Sequence, residues 1–377
     1  MRNNLLFSVL IVFLSLAGQP LFAQSKSWAA EAHYHRGIVL PVDKFTPHLT
    51  TGNPQMVTLR WMKQTQGRKA YDQVWNFPKI GFALGGIDFD NPQLGHALTL
   101  MACSDFSLWR TRFSTLHFGI GLGVGFVTNP FDRQTNAKNI MLGSVVNSAW
   151  SLGLTYEVCF AQAWRLFAGV SITHLSNGAL KLPNLGVNMA MAQIGVGYRP
   201  AQALQKVAKD SLLPRKHGWQ FHTFWVGGAL EQYPTNGPKY FVSTLQVAWG
   251  KRFGRVFAWQ LGLEWNYNSI WLSFNKDNEQ LRFNPNRWAI SGGLEAIAGR
   301  LSFLFQWGYY IFKPQPLDNI FFQRYALRYV FKRPAWWAMW SMKSQLGSVD
   351  NFEFGLGYTW GIKKPSSGRT LEGRNKR

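Results

Sequence analysis

Apolar and polar residues alternate with a period of two along most of this chain, and helical periodicity is almost absent. Such alternation places apolar side chains on one face of a β-strand and small or polar side chains on the other. In residues 118–126 the small phase is entirely glycine, and the apolar phase consists of Phe118, Ile120, Leu122, Val124 and Phe126. The pattern predicts an all-β protein of antiparallel strands, each with one apolar face.

The alternation recurs often enough to predict about sixteen strands in two sets of eight. The first set lies at residues 29–41, 55–65, 78–89, 95–105, 113–127, 144–159, 164–176 and 188–199. The second set lies at residues 219–230, 239–252, 256–268, 287–298, 301–312, 321–332, 335–346 and 351–361. Short basic turns alternate with longer polar loops in the second set, which is typical of a transmembrane antiparallel β-barrel.

Sixteen strands can close as one wide barrel or as two eight-stranded barrels in tandem. The glycines of residues 118–126 favour two small barrels, because a narrow interior is filled by side chains from the opposite wall whereas a wide pore is lined with polar groups. We therefore expect one unit at 28–199 and a second unit of unknown role at 218–362. A polar linker at 200–217 and a basic, disordered tail at 363–377 complete the chain.

The N-terminal residues resemble a secretory signal peptide. Arg2 precedes an apolar run over 5–16, which Gly18, Pro20 and Ala23 follow. That run is too short for a membrane-spanning helix, so we expect residues 1–23 to be removed on export. Together with the barrel pattern, this predicts a location in the outer membrane.

Composition narrows the choice of partner. The formal net charge of +22 favours an anionic partner, and nucleic acid is improbable for an exported barrel. Phosphate-bearing lipid of the outer leaflet is the remaining candidate, although basic residues scattered over turns would give the same total. Cys103 and Cys159 lie on strands that are not predicted to be neighbours, so no disulfide is expected.

Three polar residues break the apolar phase at one end of the first unit. His174 and Ser176 continue the lipid-facing phase of the strand 164–176, and Asn188 lies on the same phase of the returning strand. Any one of them is unremarkable at headgroup depth, where polar groups cost little. A nucleophile, a base and an orienting group in one register instead indicate a serine esterase, with Ser176 attacking, His174 taking its proton and Asn188 holding the ring.

The same stretch resembles a known family. His174-Leu175-Ser176-Asn177, followed by Lys181 and by Pro183-Asn184, is similar to the signature of the outer-membrane lipid A 3-O-deacylase family. The resemblance implies an eight-stranded barrel over about 28–199 with His and Ser on its outer surface. It also implies Asn177 and Asn184 in or near the oxyanion hole, and Lys181 beside the substrate.

One position departs from that family, because Asn188 stands where the family has a Glu. A His-x-Ser-Asn-Gly run followed by such an Asn is also similar to outer-membrane phospholipase A, which uses calcium. We therefore expect removal of a 3-linked acyl chain from lipid A of lipopolysaccharide, without metal or cofactor. Hydrolysis of outer-leaflet phospholipid with calcium, and a non-catalytic barrel serving as pore, adhesin or anchor, remain alternatives, and a homodimer is possible.

Overall fold

Two closed β-barrels of eight antiparallel strands each make up the described part of the protein. The structure is a computed structural model, and it describes residues 28–67, 69–199, 218–232, 234–275, 283–314, 319–331, 335–345 and 348–360. The prediction of two small barrels rather than one wide barrel is confirmed. The predicted signal peptide, linker and tail lie outside the described residues.

The first barrel closes on itself, since its first strand pairs with both its second and its eighth. Ala30 lies opposite Tyr198 at one end of the closing pair, and Leu40 lies opposite Asn188 at the other. The strands are β1 (Trp28–Leu40), β2 (Gln55–Gln64), β3 (Lys79–Asp88), β4 (His96–Arg110), β5 (Ser114–Val127), β6 (Val146–Cys159), β7 (Trp164–Ser176) and β8 (Val187–Tyr198). A 3-10 turn at Pro47–Leu49 and the short helix α1 (Ala70–Val74) lie in its connections.

The second barrel has the same topology, and its last strand pairs with its first. Its strands are β9 (Trp219–Glu231), β10 (Lys239–Phe253), β11 (Phe257–Asn268), β12 (Asn286–Ala298), β13 (Leu301–Phe312), β14 (Phe321–Val330), β15 (Trp336–Gln345) and β16 (Ser348–Trp360). The short helix α2 (Ile270–Phe274) follows β11. Of the described helices, none is long and apolar enough to cross a membrane.

The outer walls carry the apolar phase of the strands, as the alternation predicts. On β7, Val170 and Ile172 are exposed, whereas Ser171 and Thr173 between them are buried in the interior. The same alternation holds on β10 of the second barrel, where Val247 is exposed beside the fully buried Gln246. Apolar surface turned outward all round a closed barrel is suited to lipid and not to water.

The interior of the first barrel is tightly packed where it meets the long loops. A methyl group added at Gly125 would lie 2.4 Å from Leu175 Cδ2, and one at Gly121 would lie 3.3 Å from the sulfur of Met101. Side chains from β4 and β7 therefore occupy the space that the glycines leave. Small residues at these positions thus let a narrow barrel fill its own centre, which is the reason for the glycine phase of β5.

Paired charges fill the other end of this interior. Lys79 is buried and binds Glu31 at 2.9 Å, Glu157 at 3.1 Å and Asp105 at 3.4 Å, while Arg60 binds Asp105 at 2.7 Å. Buried charges are tolerated when they are mutually paired, as these are. Glu157 is accordingly part of this buried network rather than of a site on the outer wall.

The second barrel has its own buried charges and its own apolar cluster. Arg324 donates to Glu264 at 2.8 Å and to Glu353 at 3.1 Å, and all three side chains are essentially inaccessible to solvent. An apolar cluster that includes Phe224, Leu304 and Trp337 packs beside them. Each barrel therefore encloses its own buried charges and its own apolar side chains.

Connections of different length mark the two ends of the first barrel. Residues 41–54, 128–145 and 177–186 form long loops at the end where β7 finishes and β8 starts, whereas 111–113 and 160–163 are short turns at the opposite end. The connection 65–78, which contains α1, departs from this rule. Short turns face the periplasm in bacterial barrels, so the end that carries the long loops belongs to the outer leaflet.

Candidate active site on the outer wall of the first barrel

His174 and Ser176 lie two residues apart at the end of β7, on the outward phase that Ile172 continues. The Nε2 atom of His174 is 2.9 Å from Ser176 Oγ. This is the distance at which an imidazole can take the proton of a hydroxyl as that hydroxyl attacks a carbonyl carbon. The structure therefore brings together the two residues that the strand register predicted as neighbours.

Asn188 completes a chain of three side chains from two strands. It lies directly opposite His174 in the pairing of β7 with β8, and its Oδ1 is 2.7 Å from His174 Nδ1. An amide oxygen only accepts hydrogen bonds, so Nδ1 carries the ring hydrogen and Nε2 is left with its lone pair toward Ser176. Asn188 thus fixes both the tautomer and the orientation that a general base needs.

The pair is sheltered although it belongs to the outward phase. His174 is 8% exposed and Ser176 is 2% exposed. Trp150 of β6 stacks on the imidazole, with ring centroids 5.0 Å apart and an angle of 25° between the planes. On another side Gly186, at a φ of +76°, approaches so closely that a Cβ there would lie 2.7 Å from His174 Cε1.

Two long loops hold the backbone around Gly186 in place. Gly186 N–H donates to Met141 O at 2.9 Å, and Leu185 N–H donates to Ile140 O at 3.3 Å. The two loops also approach each other closely at Gly143, where an added Cβ would lie 2.4 Å from the carbonyl oxygen of Pro183. The backbone that covers His174 is therefore held in place at the barrel rim. The loop between β5 and β6 supplies both the hydrogen bonds and the close backbone contact that hold it.

The other predicted site residues form the loop after β7. Asn177 N–H donates to Asn184 Oδ1 at 2.9 Å, and Asn177 Nδ2 donates to Lys181 O at 2.8 Å and to Ser144 Oγ at 2.9 Å. Asn177, Asn184 and Lys181 are thus brought together beside Ser176. Their roles in an oxyanion hole or in substrate binding stay predictions, and the N–H of Asn177 becomes available to an oxyanion only when Asn184 releases it.

Sequence reasoning missed the contribution of β6. Trp150 lies opposite His174 and Ser148 lies opposite Ser176 in the pairing of β6 with β7, and Ser148 Oγ donates to the carbonyl oxygen of Ser176 at 2.8 Å. Both residues are on the outward phase of their strand. The short turn 160–163 fixes this register, so counting back from the turn would have identified them.

Metal ligands are a separate question from the Ser-His-Asn chain. Among the described residues, no group of three or more His, Cys, Asp or Glu side chains is placed to hold a metal ion. The calcium expected for a phospholipase therefore stays untested. Cys103 and Cys159 are both free, as predicted.

The chain matches two protein families, one in each barrel. Residues 55–197 match the family described as lipid A 3-O-deacylase (PagL). Residues 219–364 match the family described as acyloxyacyl hydrolase, C-terminal domain. The first match contains His174, Ser176 and Asn188. A search of curated protein sequences finds no match for this chain.

Similar solved structures include three outer-membrane proteins of Pseudomonas. OccK3 (OpdO) of Pseudomonas aeruginosa is 9% identical, with 91% of this chain and 99% of that one covered and a TM-score of 0.21. The siderophore receptor PirA of Pseudomonas aeruginosa is 10% identical, with 88% and 61% covered and a TM-score of 0.23. The toluene transporter TodX of Pseudomonas putida is 9% identical, with 92% and 91% covered and a TM-score of 0.18.

The strand pairing itself shows the fold, and the two sequence matches show the families of the two barrels. The two matched segments together span most of both barrels. The family match of the first barrel and the apolar outer walls both indicate an outer-membrane protein embedded in lipid. The first barrel carries a lipid A 3-O-deacylase (PagL) domain and the second an acyloxyacyl hydrolase C-terminal domain, and both families are hydrolases of acyl esters.

Proposed function

We propose that this protein is a serine esterase that removes the 3-linked acyl chain from lipid A. The observation that carries the proposal is the hydrogen-bonded chain Ser176–His174–Asn188 on the outer wall, with distances of 2.9 and 2.7 Å. Those distances suit a nucleophile, a base and the group that orients the base. The family match supplies the substrate class.

The chemistry follows from the order of the three groups. Ser176 Oγ attacks the ester carbonyl carbon while His174 Nε2 takes its proton, and the ring then returns that proton to the departing 3-oxygen of the sugar. The acyl group is left on Ser176 as an ester. Water, deprotonated by His174 in turn, hydrolyses that ester and releases the fatty acid, so every proton taken by the ring is given back.

The position of the site determines how substrate reaches it. Ser176 is on the outer wall, at the end of the barrel that carries the long loops, and not in the filled interior. An acyl chain of an outer-leaflet lipid therefore meets the nucleophile from within the membrane plane. No passage through the barrel is needed.

The test is mass spectrometry of lipid A and of phospholipids from cells with and without the protein. We expect lipid A to lose one 3-linked acyl chain in the presence of the parent protein, and to stay intact with Ser176→Ala. Ser171→Ala is the matched control, because Ser171 lies on the same strand but faces the interior. Intact lipid A with the parent protein would contradict the proposed function.

A second candidate, phospholipid hydrolysis, rests on one observation. The third residue of the chain is an amide, Asn188, and the same residue types are similar to the set of outer-membrane phospholipase A. The same spectra distinguish the two, since a phospholipase would give lysophospholipid and leave lipid A unchanged. Chelation of calcium would abolish that activity but would not affect a metal-independent deacylase.

A further inference from the structure

The imidazole of His174 lies between side chains of two neighbouring strands. Asn188 of β8 holds one edge of the ring, and Trp150 of β6 covers one face, with ring centroids 5.0 Å apart and planes 25° from parallel. Both partners lie directly opposite His174 in the strand pairing. The register of the sheet therefore places one side chain from each neighbouring strand against the ring.

The ring has no carboxylate to balance a positive charge. In the part of the chain that the structure describes, His174 forms no ion pair, and its hydrogen bonds go only to Asn188 and Ser176. Glu157, Arg165 and Lys181 are the charged residues of the adjoining strands and of the loop 177–186, and none pairs with His174. The loop between β5 and β6 adds Asp132, Arg133 and Lys138, whose hydrogen bonds likewise go to residues other than His174. Burial of a cation without such a partner is unfavourable.

The charge nevertheless forms during catalysis. When Ser176 Oγ attacks, its proton moves to His174 Nε2, and the ring becomes an imidazolium in a site that is almost closed to water. The face of an indole attracts a cation whose centre lies within about 6 Å of the ring centroid, because the π-system is negative above and below its plane. Trp150 meets that distance with its face toward the ring.

We propose that Trp150 is a positioning residue that stabilises the protonated form of His174 and so replaces the negative charge that Asn188 does not provide. The inference rests on the proposed function. Trp150 makes no proton transfer and need not touch substrate. It acts through His174, at the step in which the positive charge appears.

The first measurement compares Trp150→Phe and Trp150→Leu with the parent protein in detergent micelles that contain lipid A. We expect Trp150→Leu to lower kcat about tenfold with KM nearly unchanged, the size that a desolvated cation–π contact gives. Trp150→Phe keeps an aromatic face of weaker quadrupole, so it should fall between the two. Leu keeps the position apolar but is smaller than Trp, so the pH–rate profile below serves to detect any entry of water.

The second measurement asks whether Trp150 acts through charge. In an Asn188→Glu background the carboxylate balances the imidazolium, so the loss caused by Trp150→Leu should shrink to about twofold. In the parent background Trp150→Leu should also move the acid limb of the pH–rate profile to lower pH, because the protonated ring becomes less stable. Admission of water by a loosened site would move that limb to higher pH.

The outcomes separate the inference from the function beneath it. Equal losses in both backgrounds, an acid limb that rises, or a Trp150→Leu protein as active as the parent would each overturn the role of Trp150 while Ser176→Ala stays inactive. Activity in Ser176→Ala would overturn both proposals. If Trp150→Leu is not recovered folded, Trp150→Phe in the two backgrounds decides by the same comparison.

Discussion

At the scale of single residues, the two hydrogen bonds of His174 assign a different task to each of its two neighbours. Ser176 supplies the only hydroxyl within hydrogen-bond distance of the ring in the described structure, and Asn188 fixes the tautomer. Removing a member of such a unit removes the coupling and not merely one contact. The consequences of each substitution therefore differ in size.

Ser176→Ala and His174→Ala should each lower deacylation by about a thousandfold or more, because nucleophile and base act as one unit. The barrel should still form, since both residues are at the end of β7 and outside the filled interior. Release of fatty acid measures the first effect, and heat-modifiable migration on gels measures the second. A folded His174→Ala protein with parental activity would remove the mechanism.

Asn188→Ala should reduce the rate less than Ser176→Ala does. Water or a neighbour can still accept from Nδ1, but the orientation of the ring is no longer fixed. Asn188→Glu should be at least as active as the parent protein, because a carboxylate accepts the same hydrogen bond and adds a balancing charge. Parental activity in Asn188→Ala would show that the orienting group is a different residue.

At the scale of elements, the strands could be predicted closely and the loops could not. β7 is found where the alternation placed it, and β5 differs by one residue at its start. Period-two alternation specifies strands because each residue on the wrong phase would put a polar side chain into lipid. Loops lack that constraint, so α1, inside the connection 65–78, carried no recognisable signal.

The candidate site likewise contains residues that the sequence pattern predicts and residues that it does not. His174, Ser176 and Asn188 could be found because they interrupt an apolar phase. The stacking of Trp150 does not follow from the alternation alone, since an aromatic residue on the outward phase of β6 looks like any other lipid-facing residue until the strand register is counted back from the turn 160–163. The close approach of Gly186 depends on contacts between two loops far apart in sequence, which no local pattern encodes.

Gly186→Ala should impair catalysis by disturbing the loop that covers His174, without changing any of the three proposed catalytic side chains. The positive φ of +76° disfavours a side chain, and the added methyl would meet His174 Cε1 at 2.7 Å, so the ring or the loop must shift. We expect at least a tenfold lower rate. Gly254→Ala is the matched control, because Gly254 has a φ of +63° but open space around it. Similar losses from both substitutions would contradict the steric explanation.

At the scale of the whole molecule, the buried ion pairs of the described residues each join side chains of a single barrel. In the first barrel Lys79 lies among Glu31, Asp105 and Glu157, so its removal leaves several acids without their central cation. The ion network and the catalytic chain lie toward opposite ends of the same barrel. Stability and catalysis can therefore be tested independently.

Lys79→Met should destabilise the first barrel by about 3–5 kcal/mol, the range for a buried ion network that loses one partner. The temperature at which the barrel loses its folded gel mobility is the measurement. Lys63→Met, which removes an exposed cation from the outer wall, is the control and should change that temperature little. Equal effects would show that the interior charges contribute no more than surface charges.

A shortened protein that ends at Pro200 should insert and remain active. β1 pairs with β8, so the first barrel leaves no strand edge exposed to lipid, where each unpaired backbone group costs several kcal/mol. Folded gel mobility and fatty-acid release test this directly. A folded but inactive product would mean that the second barrel contributes to catalysis, and an aggregated one that it is required for assembly.

Under the proposed function, the outward position of Ser176 means that the concentration of substrate is measured in two dimensions. The rate then depends on the mole fraction of lipid A in the surrounding membrane or micelle, and not on its bulk concentration. Adding inert detergent at constant total lipid A should therefore slow turnover in proportion to the dilution of the surface. Diluting the whole mixture with buffer should leave turnover per enzyme unchanged for as long as enzyme and substrate share the same micelles.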